Sequence, residues 1–295
     1  MTKGSSLYAG LLAIGLVNVA RAQLLGPNDT RATSDSAATR FIAEARAGTA
    51  KYRDRAVAIA DGYHMVGPDL PSMGEHWLNI ALILADTVDA ARPPVLIYVA
   101  SPTGPVLAGA AYTRMLTPVQ SYPDFPSGLH AWHDHSGFID EEALPMSHVG
   151  HGMHDAPNGT RLGILHLWMW QDNPEGPWTA DNWALPFVRA GLNAPRESGA
   201  AARSLALAPD SGRYYLGVFS TIGKLDAREV DQVRMVLATA ANRVRDVALV
   251  PGREPEDSQI VQLRSIWESL WPSIASVLRT STVQRLEGLK SLWWW

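Results

Sequence analysis

The sequence contains no cysteine, and this absence rules out several kinds of covalent support and metal site. A chain without thiols has no disulfide bonds, and it cannot bind an iron–sulfur cluster, a thiolate-held zinc ion or a thioether-linked haem. Its 25 basic residues are outnumbered by 29 acidic ones, so the net charge of −4 gives no basic surface for nucleic acid. It also lacks a G-x-S-x-G elbow, a phosphate-binding loop and a dinucleotide-binding glycine pattern.

The N-terminus has the pattern of a secretory signal peptide. Lys3 precedes the apolar residues 7–20, and the small-residue motif Ala20-Arg21-Ala22 follows them. The apolar run has about 14 residues, fewer than the roughly 20 that a membrane-spanning helix needs. We therefore expect residues 1–22 to be a cleaved signal peptide and the protein to be periplasmic or secreted. The alternative is an uncleaved N-terminal anchor.

Hydrophobic periodicity predicts the elements of the first two thirds of the chain. Apolar residues at three- and four-residue steps indicate a helix over 34–61. Residues 62–79 are rich in glycine and proline, which predicts extended backbone that no helix or sheet fixes. Apolar β-rich runs at 94–100 and 106–116 flank a Ser-Pro-Thr-Gly turn and predict a hairpin. Residues 161–170 are apolar on both alternating faces, which predicts a central strand.

The character of the sequence changes near residue 200. Residues 214–220 predict one last strand, and helical periodicity then follows at 226–250, 256–271 and 272–289. Pro272 suits the first turn of the last of these helices. We expect an α+β fold with an N-terminal helix and a central, mostly antiparallel sheet in residues 23–200, followed by a mainly helical C-terminal region, 201–295.

Imidazole side chains are concentrated in one part of the chain, because all nine histidines lie between His64 and His166. His133 and His135 form an H-x-H pair, and alternate residues of extended backbone share a face and can reach one ion. A second group combines imidazole with thioether, which suits copper in an oxidising compartment: His148, His151, Met153 and His154. Both groups fall in a long loop predicted over 117–160, and the alternative for each is a solvated polar loop.

Two further histidines belong to the predicted scaffold. His166 lies in the interior of the predicted central strand, where an unpaired imidazole would cost about 1–3 kcal/mol, so it should have a partner. His76 follows Glu75, which could orient it or accept a proton. These patterns predict a copper or zinc ion bound by His76, His133, His135 and His166, with the other loop ligands as secondary candidates. Glu75 is the candidate catalytic base if the metal does chemistry, and enzymatic activity is left open.

Three motifs resemble a family of exported bacterial proteins of unknown function. The stretches MGEHWLN (73–79), ARPPVLIY (91–98) and LHLWMWQDNPEG (165–176) resemble, in order, the family's MGxHYxN, DPxxPExLxY and LHxWxWxxNPxG patterns. The resemblance covers about residues 35–190 and singles out four positions, namely His76, Asn79, His166 and Asn173. This chain departs from the family at Ala111, where the family has the glutamate of a VEY strand.

A second functional hypothesis belongs to another class, a non-catalytic interaction protein of the cell envelope. The C-terminal region has a broad apolar face made of Ile260, Leu263, Ile266, Trp267, Leu270, Trp271, Ile274 and Leu278. The chain then ends in Trp293–Trp295, and tryptophan favours membrane interfaces. This hypothesis predicts contact with a membrane or a membrane complex. The alternative is that the apolar face is simply core.

Overall fold

The computed structural model describes residues 36–117, 119–123, 132–134, 161–196 and 199–288. Its strands are β1 His64–Leu70, β2 Gly74–Leu78, β3 Val95–Ser101, β4 Gly104–Leu116, β5 Trp132–Asp134 and β6 Arg161–Leu167. The helices of its first half are α1 Ser36–Thr49, α2 Arg55–Ala60 and α3 Ile80–Ala85, with a 3-10 turn at Ala50–Arg53. The later helices are α4 Leu185–Arg189, α5 Gly199–Leu205, α6 Arg213–Gly223, α7 Ala227–Arg245, α8 Asp257–Ala275 and α9 Thr280–Gly288. The predicted α+β class is confirmed.

The six strands form one antiparallel sheet in the order β1-β2-β3-β4-β6-β5. The predicted hairpin is present as β3 and β4, and the strand predicted at 161–170 is β6, which pairs with a neighbour on each side. One face of the sheet carries aromatic and aliphatic side chains that pack against the N-terminal helices. This core includes Ala38, Ala45, Tyr52, Trp77, Tyr98, Tyr112, Trp132, Leu165 and Leu167.

The N-terminal helix predicted over 34–61 is interrupted. After α1 the chain tightens into the 3-10 turn, and Asp54 has an extended backbone. Its carboxylate accepts a hydrogen bond from the amide of Ala56 at 2.9 Å, which caps the N-terminus of α2. A side chain that bonds to a nearby backbone amide in this way competes with the hydrogen bonds of a continuous helix. The predicted helix is therefore divided into α1 and α2.

Residues 62–79, predicted to lie outside regular structure, contain two strands of the sheet. The prediction was wrong because the glycine and proline residues of this segment occupy positions that suit a strand and do not interrupt it. Pro68 lies in β1, which is at the edge of the sheet and has one side without ladder hydrogen bonds. Gly74 begins β2 with φ at 70°, and a Cβ there would come within 2.3 Å of the Tyr98 carbonyl oxygen. The close approach of β3 therefore requires glycine.

The chain divides into two compact units, and the second holds residues 183–295 together with the short segments 70–72 and 101–103. Two predictions made for this region were wrong. Residues 214–220, predicted as a strand, lie in α6, where Tyr215 and Phe219 are four residues apart and both buried. Pro272 does not begin a new helix but lies inside α8, which continues to Ala275.

The apolar face of the C-terminal region is partly core. Leu263, Ile266, Leu270 and Ile274 are buried. The ring of Trp267 contacts Tyr215 at 5.4 Å between centroids, and Trp271 stacks on Phe219 at 6.4 Å. Half of the predicted face is therefore core, while Ile260, Trp267, Trp271 and Leu278 are half-buried. Trp293–Trp295 lie outside the described residues, and the interaction hypothesis stays a prediction. No helix in the described ranges is long and apolar enough to cross a membrane.

A buried carboxylate holds the last helices together. Glu229 in the first turn of α7 accepts hydrogen bonds from the Arg279 guanidinium at 2.8 and 3.0 Å, and from the Thr282 hydroxyl at 2.9 Å. It also forms a capping box with Asp226, because it accepts a hydrogen bond from the Asp226 amide at 3.2 Å. The Arg279 guanidinium lowers the pKa of Glu229 to about 2. The end of the second unit is therefore fixed by one charged group.

Replacing Glu229 by glutamine should lower the free energy of unfolding by about 1–3 kcal/mol at pH 7, because a buried charged network is lost. The pKa of Glu229 in the folded protein lies below the unfolded value of about 4.3. The difference in the free energy of unfolding between the variant and the wild type should therefore be largest above about pH 5 and become smaller towards pH 2. Urea unfolding at several pH values measures it. The matched control is Asp231→Asn on the same helix, which breaks an exposed pair with Arg234 and should cost less than about 0.5 kcal/mol. Equal effects of the two substitutions would contradict the assignment.

Candidate functional site

The fold brings together two of the predicted metal ligands, His76 and His166. Their ring centroids are 5.8 Å apart and the ring planes are inclined by 70°. His76 lies on β2 opposite Ile97, and His166 lies on β6 opposite Ala111. Both belong to the face of the sheet opposite the N-terminal helices, since their strand neighbours Trp77 and Leu165 belong to the helix-covered core.

Small residues of β4 allow the two rings to approach across the sheet. Strands β3 and β4 separate β2 from β6, and at about 4.8 Å per strand a flat sheet would hold the two backbones on the order of 14 Å apart. The segment Ala108-Gly109-Ala110-Ala111 of β4 has no side chain larger than a methyl group. A Cβ at Gly109 would come within 2.5 Å of the Leu167 carbonyl oxygen. Strands β4 and β6 therefore approach each other closely at Gly109, next to the histidines.

His76 is held in its neutral form. Burial lowers the pKa of His76 to about 4, while the hydrogen bond to the Gly74 backbone and the charge of Asp69 oppose this shift. The residue as a whole is partly exposed. One ring nitrogen donates to the Gly74 carbonyl, so the other nitrogen presents its lone pair. A neutral imidazole with a fixed tautomer is the form that binds a metal.

His166 is fully buried. Its ring contacts His76 and stacks on Trp168, with centroids 6.0 Å apart and planes inclined by 17°. The Trp168 indole is in turn fixed, because its N–H donates to the Thr179 carbonyl at 2.7 Å. The sequence predicted a polar partner for this buried imidazole, and the ring contacts, which are not hydrogen bonds, leave that a prediction.

Glu75 is separated from the histidine pair. It lies opposite Tyr98 in the register, on the face that the N-terminal helices cover. Its carboxylate accepts hydrogen bonds from Arg55 at 3.3 Å and from the Trp77 indole at 3.0 Å. Neighbours along a strand point to opposite faces, so adjacency in sequence places Glu75 away from His76. The geometry gives Glu75 a packing role and not the proton-accepting role that the sequence suggested.

The two asparagines that the resemblance singled out stabilise turns. Asn79 accepts a hydrogen bond from the Leu82 amide at 3.2 Å, which caps α3, and donates to the Asp61 carbonyl at 3.0 Å. Asn173 donates to the Thr179 hydroxyl at 2.5 Å and to the Asp181 carbonyl at 2.7 Å. Of the four motif positions, only the two histidines are left to form a site.

The loop histidines enter the described structure at one point. His133 lies on β5 and pairs with Ile164, two residues before His166 on β6. This register places position 133 on the same face of the sheet as His166. The other predicted ligands lie outside the described residues: His135, His148, His151, Met153 and His154. Within the described ranges no group of three or more histidine and acidic side chains could hold a metal ion.

Ala111 occupies the place nearest to His166 in the sheet. The two residues are direct partners in the β4–β6 register, and both are fully buried. A carboxylate at this position would therefore lie beside His166. Sequence reasoning noted the departure from the family pattern at Ala111 but could not connect it to His166, because the connection depends on strand register.

Comparisons with protein-family models, with curated proteins and with solved structures found no match for this chain. The interpretation of the site depends on its own chemistry. Two imidazoles with centroids 5.8 Å apart are close enough to share one ion, whose ligand nitrogens would be about 3–3.5 Å from one another.

The free energy of unfolding of the wild-type protein should fall by up to about 3 kcal/mol between pH 6.5 and pH 4. In this range His76 is protonated in the unfolded chain but stays neutral in the folded protein, whose His76 pKa is about 4. Above pH 6.5 both states are neutral at this residue, so no effect is expected there. In His76→Gln this part of the pH dependence should disappear, while all other titrations remain. Urea unfolding of both proteins at pH 7, 6, 5 and 4, with a chelator present, isolates the difference. Identical pH profiles would show that the ring is not desolvated.

Proposed function

We propose that this chain is an exported protein that binds a copper or zinc ion at His76 and His166. The observation that supports this most is the meeting of two imidazoles from distant strands on one face of the sheet. A sheet interior does not gain stability from paired histidines as it does from aliphatic side chains, since each buried imidazole must be desolvated. A bound cation would offset that cost.

The environment of His76 also favours a metal ligand. Its ring donates to the Gly74 carbonyl, and ligating histidines commonly donate their second N–H to a carbonyl or carboxylate. The carboxylate of Asp69 is near enough to act on the ring electrostatically. Because the imidazole is neutral at pH 7, the cation would not have to displace a proton from it.

Two ligands are too few for a specific site, and the histidine-rich segment is the proposed source of the others. Zinc takes three or four protein ligands, and copper sites take similar numbers of imidazoles. In support, His133 pairs with Ile164 on β6, two residues before His166, and His135 is the next alternate residue in the sequence. The absence of cysteine leaves imidazole, carboxylate and thioether as ligand types, which suits copper or zinc.

Protein purified without a histidine tag should contain close to one copper or zinc ion per chain, and His166→Phe or His76→Phe should remove it. Elemental analysis and isothermal titration with each ion measure this. The matched control is His64→Gln, an exposed histidine at the start of β1, which should keep the ion. His133→Ala should weaken binding by roughly tenfold or more, as expected for loss of one ligand. Equal metal content in the His166→Phe protein and the wild type would reject the proposal.

Ala111→Glu should create a third ligand beside His166. Without metal the variant should be less stable than wild type by several kcal/mol, because an unpaired carboxylate is buried. Zinc should then raise its melting temperature more than it raises that of wild type, since binding stabilises the folded state. Ala110→Glu is the matched control, because Ala110 is equally buried but faces the helix-covered core opposite Leu167. Zinc rescue of both variants, or of neither, would contradict the placement of the site.

A further inference from the structure

The second compact unit contains a pocket that the proposed metal site does not use. It has a volume of about 460 Å³ and lies where α4, α5 and α7 end. Pockets of about 300–1,000 Å³ with mostly apolar walls are typical binding sites for small molecules. The walls here are apolar, formed mainly by Pro186, Leu205, Ala206, Val244, Val247 and Leu249.

Two arginines, Arg189 and Arg245, line the pocket, and none of its lining residues is acidic. Arg245 donates to the Ala208 carbonyl at 2.6 Å, to the Ser211 hydroxyl at 2.9 Å and to the Asn242 side chain at 2.6 Å. All three acceptors are neutral, and among the residues that the structure describes no carboxylate forms an ion pair with Arg245. A guanidinium has five N–H donors, and the described residues accept from three of them, which leaves the Nε–H and one Nη1–H of Arg245 for a ligand.

The second arginine is fixed in place by backbone. The Arg189 guanidinium donates to the Leu70 carbonyl at 2.7 Å and to the Pro71 carbonyl, and both residues belong to the same compact unit. Both arginines lie in the last turns of their helices. The helix dipole places about half a negative charge at the C-terminus of a long helix. Only α7 is long, so this partial charge offsets only part of the charge on the Arg245 guanidinium.

We propose that this pocket binds a small amphiphilic carboxylate, of which a medium-chain fatty acid is the simplest example. The carboxylate would accept a charge-assisted hydrogen bond from one of the remaining N–H groups of Arg245. The alkyl chain would lie along the walls formed by Leu205, Val244 and Leu249. A phosphorylated sugar or nucleotide fits less well, because the walls offer few polar groups to its hydroxyls.

Isothermal titration of the full chain with octanoate, in buffer containing a chelator so that no metal contributes, tests the proposal. Octanoate should bind, and octanol, with the same chain and no charge, should bind at least roughly tenfold more weakly. Arg245→Gln should weaken octanoate binding by a similar factor and leave octanol unchanged. Arg243→Gln is the matched control, because Arg243 lies on the same helix and its contact is the Ser269 hydroxyl at 3.1 Å.

A second variant separates loss of charge from loss of the pocket. Ala206→Leu should fill the space between the walls and abolish binding of both octanoate and octanol, while circular dichroism shows that the helices are retained. The proposal is overturned if octanoate does not bind at millimolar concentration. It is also overturned if Arg245→Gln and Arg243→Gln have equal effects, or if inorganic phosphate displaces octanoate at equal concentration.

Discussion

The alternation of side chains across the sheet is the constraint on which the site depends. On β6, Leu165 and Leu167 belong to the core under the N-terminal helices, and this forces His166 to the opposite face. The same rule applied to β2 places Trp77 in the core and His76 beside His166. The aliphatic and aromatic core therefore determines where the imidazoles lie, because a shift of register by one residue would bury the wrong side chains.

Space between the strands matters as much as direction. Ala111 stands opposite His166, and the adjoining part of β4 is made of alanine and glycine. With larger side chains there, the rings of His76 and His166 could not approach over two intervening strands. The short distance between the two rings thus depends on residues 108–111 of β4, which have no functional side chains.

The fold class, the hairpin and the central strand could be predicted from sequence because each has a clear hydrophobic period. Residues 62–79 could not, because the suitability of Pro68 for a strand depends on its position at the sheet edge. For the site, sequence clustering identified His76 and His166 as candidates. It also associated Glu75 with His76, and only the alternation of a real strand separates those two side chains. The relation between Ala111 and His166 needs strand register, which one sequence does not contain.

Gly74 links the geometry of the chain to the acid–base state of a side chain two residues later. Its left-handed backbone lets the chain pass the Tyr98 carbonyl, and its own carbonyl accepts a hydrogen bond from the His76 ring. The residue that starts the strand therefore also decides which nitrogen of that imidazole is basic. A change that moves the Gly74 backbone also moves the carbonyl that the His76 ring bonds to. The path of the chain at this turn and the tautomer of His76 therefore change together.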